Sequence, residues 1–144
     1  MLMTGPYTVD ASVFLNAFNP FEADSDESRA FLSRLQRLDR PIIVPTLLFP
    51  EVAAGAARSR NDAQIAIQYA NKLSKLPNVM AVSLDPSLAT LTMEIAACYR
   101  LRGSDAVYVA VAKRFGTVLV TRDSQQFERS APVVTTRRPG ELME

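Results

Sequence analysis

The sequence predicts an α/β sandwich built on a largely parallel sheet. Three observations carry that prediction. Short apolar runs alternate with amphipathic stretches along the chain, the pattern of strands joined by helical crossovers. The run Val118-Leu119-Val120 has no polar alternation, so both of its faces are covered. At 144 residues the chain has the size of one domain with a sizeable core, and it shows no internal repeat, linker or low-complexity segment.

The elements follow in order. Residues 7–10 read as a short strand, and Ser12 opens the turn or helix after it. Residues 24–38 read as a helix: Phe31, Leu32, Leu35 and Leu38 recur at helical spacing, and Asp24 with Glu27 has capping-box spacing. Residues 41–45 are a strand fenced by prolines. Thr46 is placed to cap the next helix, which runs toward Arg58, with Pro50 accommodated in its first turn. Residues 61–75 form a helix with Ile65, Tyr69 and Leu73 four apart, and residues 79–82 a strand. Asp85-Pro86 marks a helix start, with Leu88, Leu91, Ile95 and Tyr99 as its apolar stripe. Gly103-Ser104-Asp105 opens another helix and Gly116 ends it. Residues 118–120 form a strand, 123–129 a helical turn, Val133-Val134 a final strand, and residues 137–144 a tail.

Composition narrows the chemistry. The chain has no histidine, which removes His-based acid–base catalysis, Ser-His-Asp and Cys-His arrangements and the usual zinc sites. Cys98 is the single cysteine, so no intrachain disulfide forms; it falls in an apolar helical pattern and reads as a small buried side chain. No apolar run approaches the length of a bilayer span, and Met1 to Pro6 shows no basic-then-apolar leader, so the expected location is the cytoplasm. The net charge of +1 carries no information about partners.

Four acids stand where acids are costly. Asp10 closes Tyr7-Thr8-Val9, Glu51 lies within Leu47 to Ala53, Asp105 opens Asp105-Ala106-Val107-Tyr108, and Asp123 follows Val118 to Arg122. Unpaired buried charge is expensive, and clustered carboxylates repel. In parallel sheets, sites form beyond the carboxyl ends of strands, where these four converge. With only oxygen ligands on offer, the economical shared partner is Mg²⁺ or Mn²⁺, and its natural reaction is phosphodiester hydrolysis. Each acid also has a plainer role. Asp10 and Asp123 are placed to cap turns, Asp105 to favour its helix dipole, and Glu51 to pair with Arg58. Ser12 and Thr121 are hydroxyls close enough to orient a carboxylate or a bound water. Tyr108, three positions past Asp105, faces either core or cleft and is left outside the site.

Val9-Asp10-Ala11-Ser12, Pro45-Thr46-Leu47-Leu48-Phe49-Pro50-Glu51-Val52, Gly103-Ser104-Asp105-Ala106-Val107-Tyr108-Val109-Ala110 and Leu119-Val120-Thr121-Arg122-Asp123 resemble the ordered motifs of PIN-domain nucleases, above all the VapC-type toxins of toxin–antitoxin pairs. The resemblance covers nearly the whole chain, residues 1–144 being read as one such domain. It implies a three-layer α/β/α sandwich on a mostly parallel five-stranded sheet in the order 3-2-1-4-5. It also implies Mg²⁺- or Mn²⁺-dependent endoribonuclease activity on tRNA, rRNA or mRNA, a small antitoxin protein as partner, and frequent homodimers. By position, Asp10, Glu51, Asp105 and Asp123 match the acidic site, and Ser12 and Thr121 its polar neighbours. Many relatives carry a further Asp after the last acid, whereas this chain reads Asp123-Ser124-Gln125-Gln126-Phe127, which makes a second metal site less assured. Two rival functions stand beside the toxin: a nuclease of RNA processing or of DNA, and a non-catalytic binding or regulatory module.

Overall fold

The computed structural model describes residues 5–143. Residues 1–4, on which most of the leader expectation rests, and residue 144 lie outside them. The elements are β1 (Tyr7–Val9), α1 (Ala11–Phe18), α2 (Ser25–Arg37), β2 (Ile42–Pro45), α3 (Leu48–Arg60), α4 (Ala63–Ser74), β3 (Val79–Val82), α5 (Pro86–Tyr99), α6 (Gly103–Phe115), β4 (Val118–Val120), α7 (Ser124–Ser130) and β5 (Thr136–Arg137), followed by a 3-10 turn (Pro139–Leu142).

Every strand pair is parallel and the order is β3-β2-β1-β4-β5, as expected. Right-handed crossovers put α1 to α4 on one face and α5 with α6 on the other, giving three layers. The packing agrees: α1 touches α2 and α3, α3 touches α4, and α5 touches α6. Helix α6 is buried from Ala106 through Ala112 and lies against β1, β2 and β4. An α-helix apolar on all sides belongs at the centre of a fold, and α6 occupies that place.

This topology positions the site. The chain leaves β1 toward β2 on one side, while β4 pairs on the other, so a crevice opens at the carboxyl ends of β1 and β4. Val9 is in register with Val120, which sets Asp10 directly beside Thr121. The Asp10 amide extends the ladder by one bond, donating to the Val120 carbonyl at 3.1 Å.

Several local expectations are corrected. Thr46 does not cap α3; the helix starts after Leu47, and Thr46 instead continues the sheet edge by donating its N–H to Val82 O. Pro50 falls in the first turn, where a missing N–H costs nothing. Asp24 adopts a left-handed backbone (φ 61°) and makes no side-chain cap; its carboxylate pairs with Arg122. The helix expected over residues 61–75 starts at Ala63, with Asp62 as its cap. Cys98 is exposed, because α5 buries only one narrow stripe that includes Leu88, Thr92 and Ile95. The last strand forms at Thr136–Arg137, beyond Val133 and Val134, which pack against the core without joining the ladder. The expected tail instead forms the 3-10 turn, which buries Leu142 and packs on α2. Among the described residues no helix is long and apolar enough to cross a membrane.

Candidate active site

Asp10 is 3% exposed, and its two carboxylate oxygens accept three hydrogen bonds. Its Oδ1 accepts from the Ser12 N–H at 3.0 Å and the Ser12 hydroxyl at 2.5 Å; its Oδ2 accepts from the Thr121 hydroxyl at 2.7 Å. Each hydroxyl is aimed by a second bond. Ser12 Oγ accepts from the Arg122 N–H at 2.8 Å, and Thr121 Oγ1 from the Asp123 N–H at 3.0 Å. With their lone pairs so engaged, both hydroxyls turn their protons to the carboxylate. Burial nevertheless pushes the Asp10 carboxyl up to about 7 against these three bonds, and the charge of Asp105 adds to the rise. The capping role foreseen for Asp10 is present as well, since the Ser12 bond closes the first turn of α1.

Glu51 sits in the first turns of α3, half buried. Its partner is Tyr108, whose phenol donates to Oε1 at 2.5 Å; among the described residues no ion pair joins it to Arg58. Burial raises the Glu51 carboxyl, the Tyr108 bond holds it down, Asp105 raises it and Arg102 lowers it. The Tyr108 phenol is itself pushed well up, first by burial and then by Glu51, so it stays a proton donor.

Asp105 is the third residue of α6, placed to meet the positive end of the helix dipole. Burial raises its carboxyl, Arg102 opposes that, and Asp123 adds to it. Arg102 Nε donates to Asp105 Oδ2 at 3.2 Å, and its Nη2 stands 3.7 Å from Asp123 Oδ2. Asp123 caps α7 by accepting from the Gln126 N–H at 3.0 Å. The buried Gln126 side chain donates to the Asp105 carbonyl at 3.2 Å, which ties α7 to α6.

The four acids therefore face one crevice, with Asp105 in the middle repelling Asp10, Glu51 and Asp123. Their donor chemistry fits a hard divalent cation: all oxygen, net negative, and compensated at one end only by a guanidinium. The fit lies in charge and ligand type. Among the described residues no three of these carboxylates are gathered tightly enough to grip one ion as they stand. An apolar cleft of about 380 Å³, lined by Phe14, Leu32, Tyr69 and Leu73 among others, opens elsewhere and includes none of the four.

Sequence reasoning missed Tyr108 and Arg102. Tyr108 carried a readable signal: a buried tyrosine needs an acceptor, and an acid on an apolar stripe needs a donor. Arg102 carried only its i,i+3 spacing to Asp105, and its reach to Asp123 left no signal.

A family model described as PIN domain matches residues 7–131. No curated protein matches the chain. Among solved structures, the toxin VapC20 of Mycobacterium tuberculosis, described as cleaving the sarcin-ricin loop, superposes with a TM-score of 0.73 at 17% identity, covering 90% of this chain and 97% of that one. A chain of VapBC2 from Rickettsia felis, bound to a DNA fragment from its promoter, gives 0.69 at 14% identity, with 92% and 97% covered. PAE2754 of Pyrobaculum aerophilum gives 0.65 at 21%, with 94% and 92% covered. At these identities the likeness is one of fold.

Proposed function

Because this chain belongs to the PIN-domain family, we propose that it is a Mg²⁺- or Mn²⁺-dependent endoribonuclease acting as the toxin of a toxin–antitoxin pair, with Asp10, Glu51, Asp105 and Asp123 as its metal-binding and catalytic acids. One observation carries the reading. Asp10 is a buried carboxylate held in a fixed orientation by two hydroxyls, facing three further acids, with no cationic side chain bonded to it among the described residues. A capping role alone needs neither that burial nor that company. The overlap with chains such as VapC20 and VapBC2 favours the toxin role, with a small antitoxin protein as partner and an RNA as substrate.

A bound divalent cation supplies a more acidic water and stabilises charge developing on a phosphoryl group. The chain supplies the frame. Ser12 and Thr121 fix the Asp10 carboxylate, so no reorientation is needed when a cation arrives. Tyr108 fixes Glu51 from across the crevice. Asp105 and Asp123, more open to solvent, line the side by which a nucleic-acid backbone enters.

Cleavage of RNA in Mg²⁺ or Mn²⁺, with EDTA and Asp10→Asn as controls, tests the reading. Asp10→Asn is expected to lose at least about 100-fold in rate, the scale of deleting a stabilising group in such sites. An unchanged rate removes Asp10 from the machinery. Mn²⁺ at about 100 times its dissociation constant should stabilise the fold by roughly 2.7 kcal/mol. Absence of any such stabilisation would favour a non-catalytic module, and cutting of single-stranded DNA in preference to RNA would favour the other nuclease reading. Growth arrest on induction, relieved by a small protein encoded beside the gene, tests the toxin role.

A further inference from the structure

Arg102 is the only cationic side chain bonded to any of the four acids among the described residues. It precedes the first turn of α6 and makes no capping bond there with its side chain. Instead the guanidinium reaches over Asp105 at 3.2 Å and spans to Asp123 at 3.7 Å, from a different element. These two carboxylates repel one another, and Arg102 is what offsets that repulsion. We propose that Arg102 is a built-in counterion of Asp105 and Asp123, and that it must be displaced for a divalent ion held by these acids to bind with full affinity.

The inference rests on the metal reading above and adds the term that opposes it. A guanidinium has donors and no acceptor, so Arg102 cannot serve as a ligand and can only compete. Its charge persists at every pH the protein meets, so the competition does not titrate away. Its side chain is 68% exposed, so it can leave without opening the core. The metal-free site is thereby spared the bare repulsion of its two outer acids. The same contact raises the concentration of divalent ion needed to fill the site.

The test is Mn²⁺ binding by isothermal titration on the full chain, in the absence of RNA, for wild type, Arg102→Gln and Arg129→Gln. Arg129 is the control for a generic loss of positive charge: its guanidinium donates to the Arg100 carbonyl and pairs with no acid among the described residues. Arg102→Gln is expected to tighten Mn²⁺ by about tenfold, within the usual range of coupling between competing sites. Arg129→Gln should stay within about twofold of wild type. Equal or weaker Mn²⁺ affinity in Arg102→Gln overturns the proposal. Equal tightening in both variants reduces the effect to net charge and also overturns it. If wild type and Arg102→Gln both lack saturable binding, the metal reading falls and takes this inference with it.

Discussion

The two halves of the acidic crevice are held by different means. On the β1 side, Asp10 is buried and fixed by neutral donors, Ser12 and Thr121, each aimed by a backbone N–H from the loop after β4. On the α6 side, Asp105 and Asp123 are partly open and share a largely exposed arginine. Hydrogen bonds orient a carboxylate without cancelling its charge, whereas a guanidinium cancels charge and occupies the space. One half is thus pre-shaped and without a counterion; the other is partly neutralised and must be rearranged. Glu51 is intermediate, since it is fixed by a phenol and only weakly relieved by Arg102.

The largest effect expected from this contrast is a stability that falls as pH rises. Asp10 titrates near 7 in the fold against an ordinary 3.8. A carboxyl raised on folding contributes its stabilisation fully below the unfolded value and loses it as pH climbs through the folded one. At about 1.4 kcal/mol per pH unit the full loss is roughly 4 kcal/mol. Urea unfolding in EDTA should therefore show wild type weakening between pH 5 and pH 8, with Asp10→Asn flat by comparison. Mn²⁺ should restore the wild type at pH 8 and leave Asp10→Asn unmoved. A flat wild-type profile in EDTA would mean that Asp10 is not the unsatisfied member.

Next in size is Thr121→Val. It strips a donor from Asp10 and an acceptor from the Asp123 N–H, leaving one buried and one part-buried group short, at a cost of about 2–3 kcal/mol in urea unfolding. The loss should be smaller at pH 5, where Asp10 is protonated and less dependent on donors. Tyr108→Phe removes one bond from a half-buried acid and should cost about 1–2 kcal/mol. Because that bond holds the Glu51 carboxyl down, its loss should move the acid limb of the RNA-cleavage profile to higher pH.

Much of this arrangement was legible in the residues. The sheet was, because Val118-Leu119-Val120 and Tyr7-Thr8-Val9 are too short and too apolar to be anything but covered strands. So was the convergence of the acids, because parallel strands end on one edge. What escaped depended on contacts between elements distant in the chain. Arg102 matters through Asp123, which lies beyond an intervening strand, and Tyr108 through Glu51, 57 residues away. Neither pairing leaves a trace in local spacing. Asp10 and Asp123 taught a different lesson: both do cap their helices, so a capping role and a place in the crevice coexist in one side chain.

The smallest expected effect is also the sharpest separator of the two halves. Arg102→Gln should change metal-free stability by less than about 1 kcal/mol, since an exposed ion pair is worth little against water. What remains of its contribution should fade with salt, so wild type and variant should converge in urea unfolding as ionic strength rises toward about 1 M, where the Debye length is near 3 Å. The Asp10 half should not behave this way: its bonds are short-range and buried, and the gap between wild type and Thr121→Val should persist in the same salt series. If Arg102→Gln instead costs as much as Thr121→Val and resists salt, the guanidinium is a structural clamp rather than an exchangeable counterion, and the two halves are built alike after all.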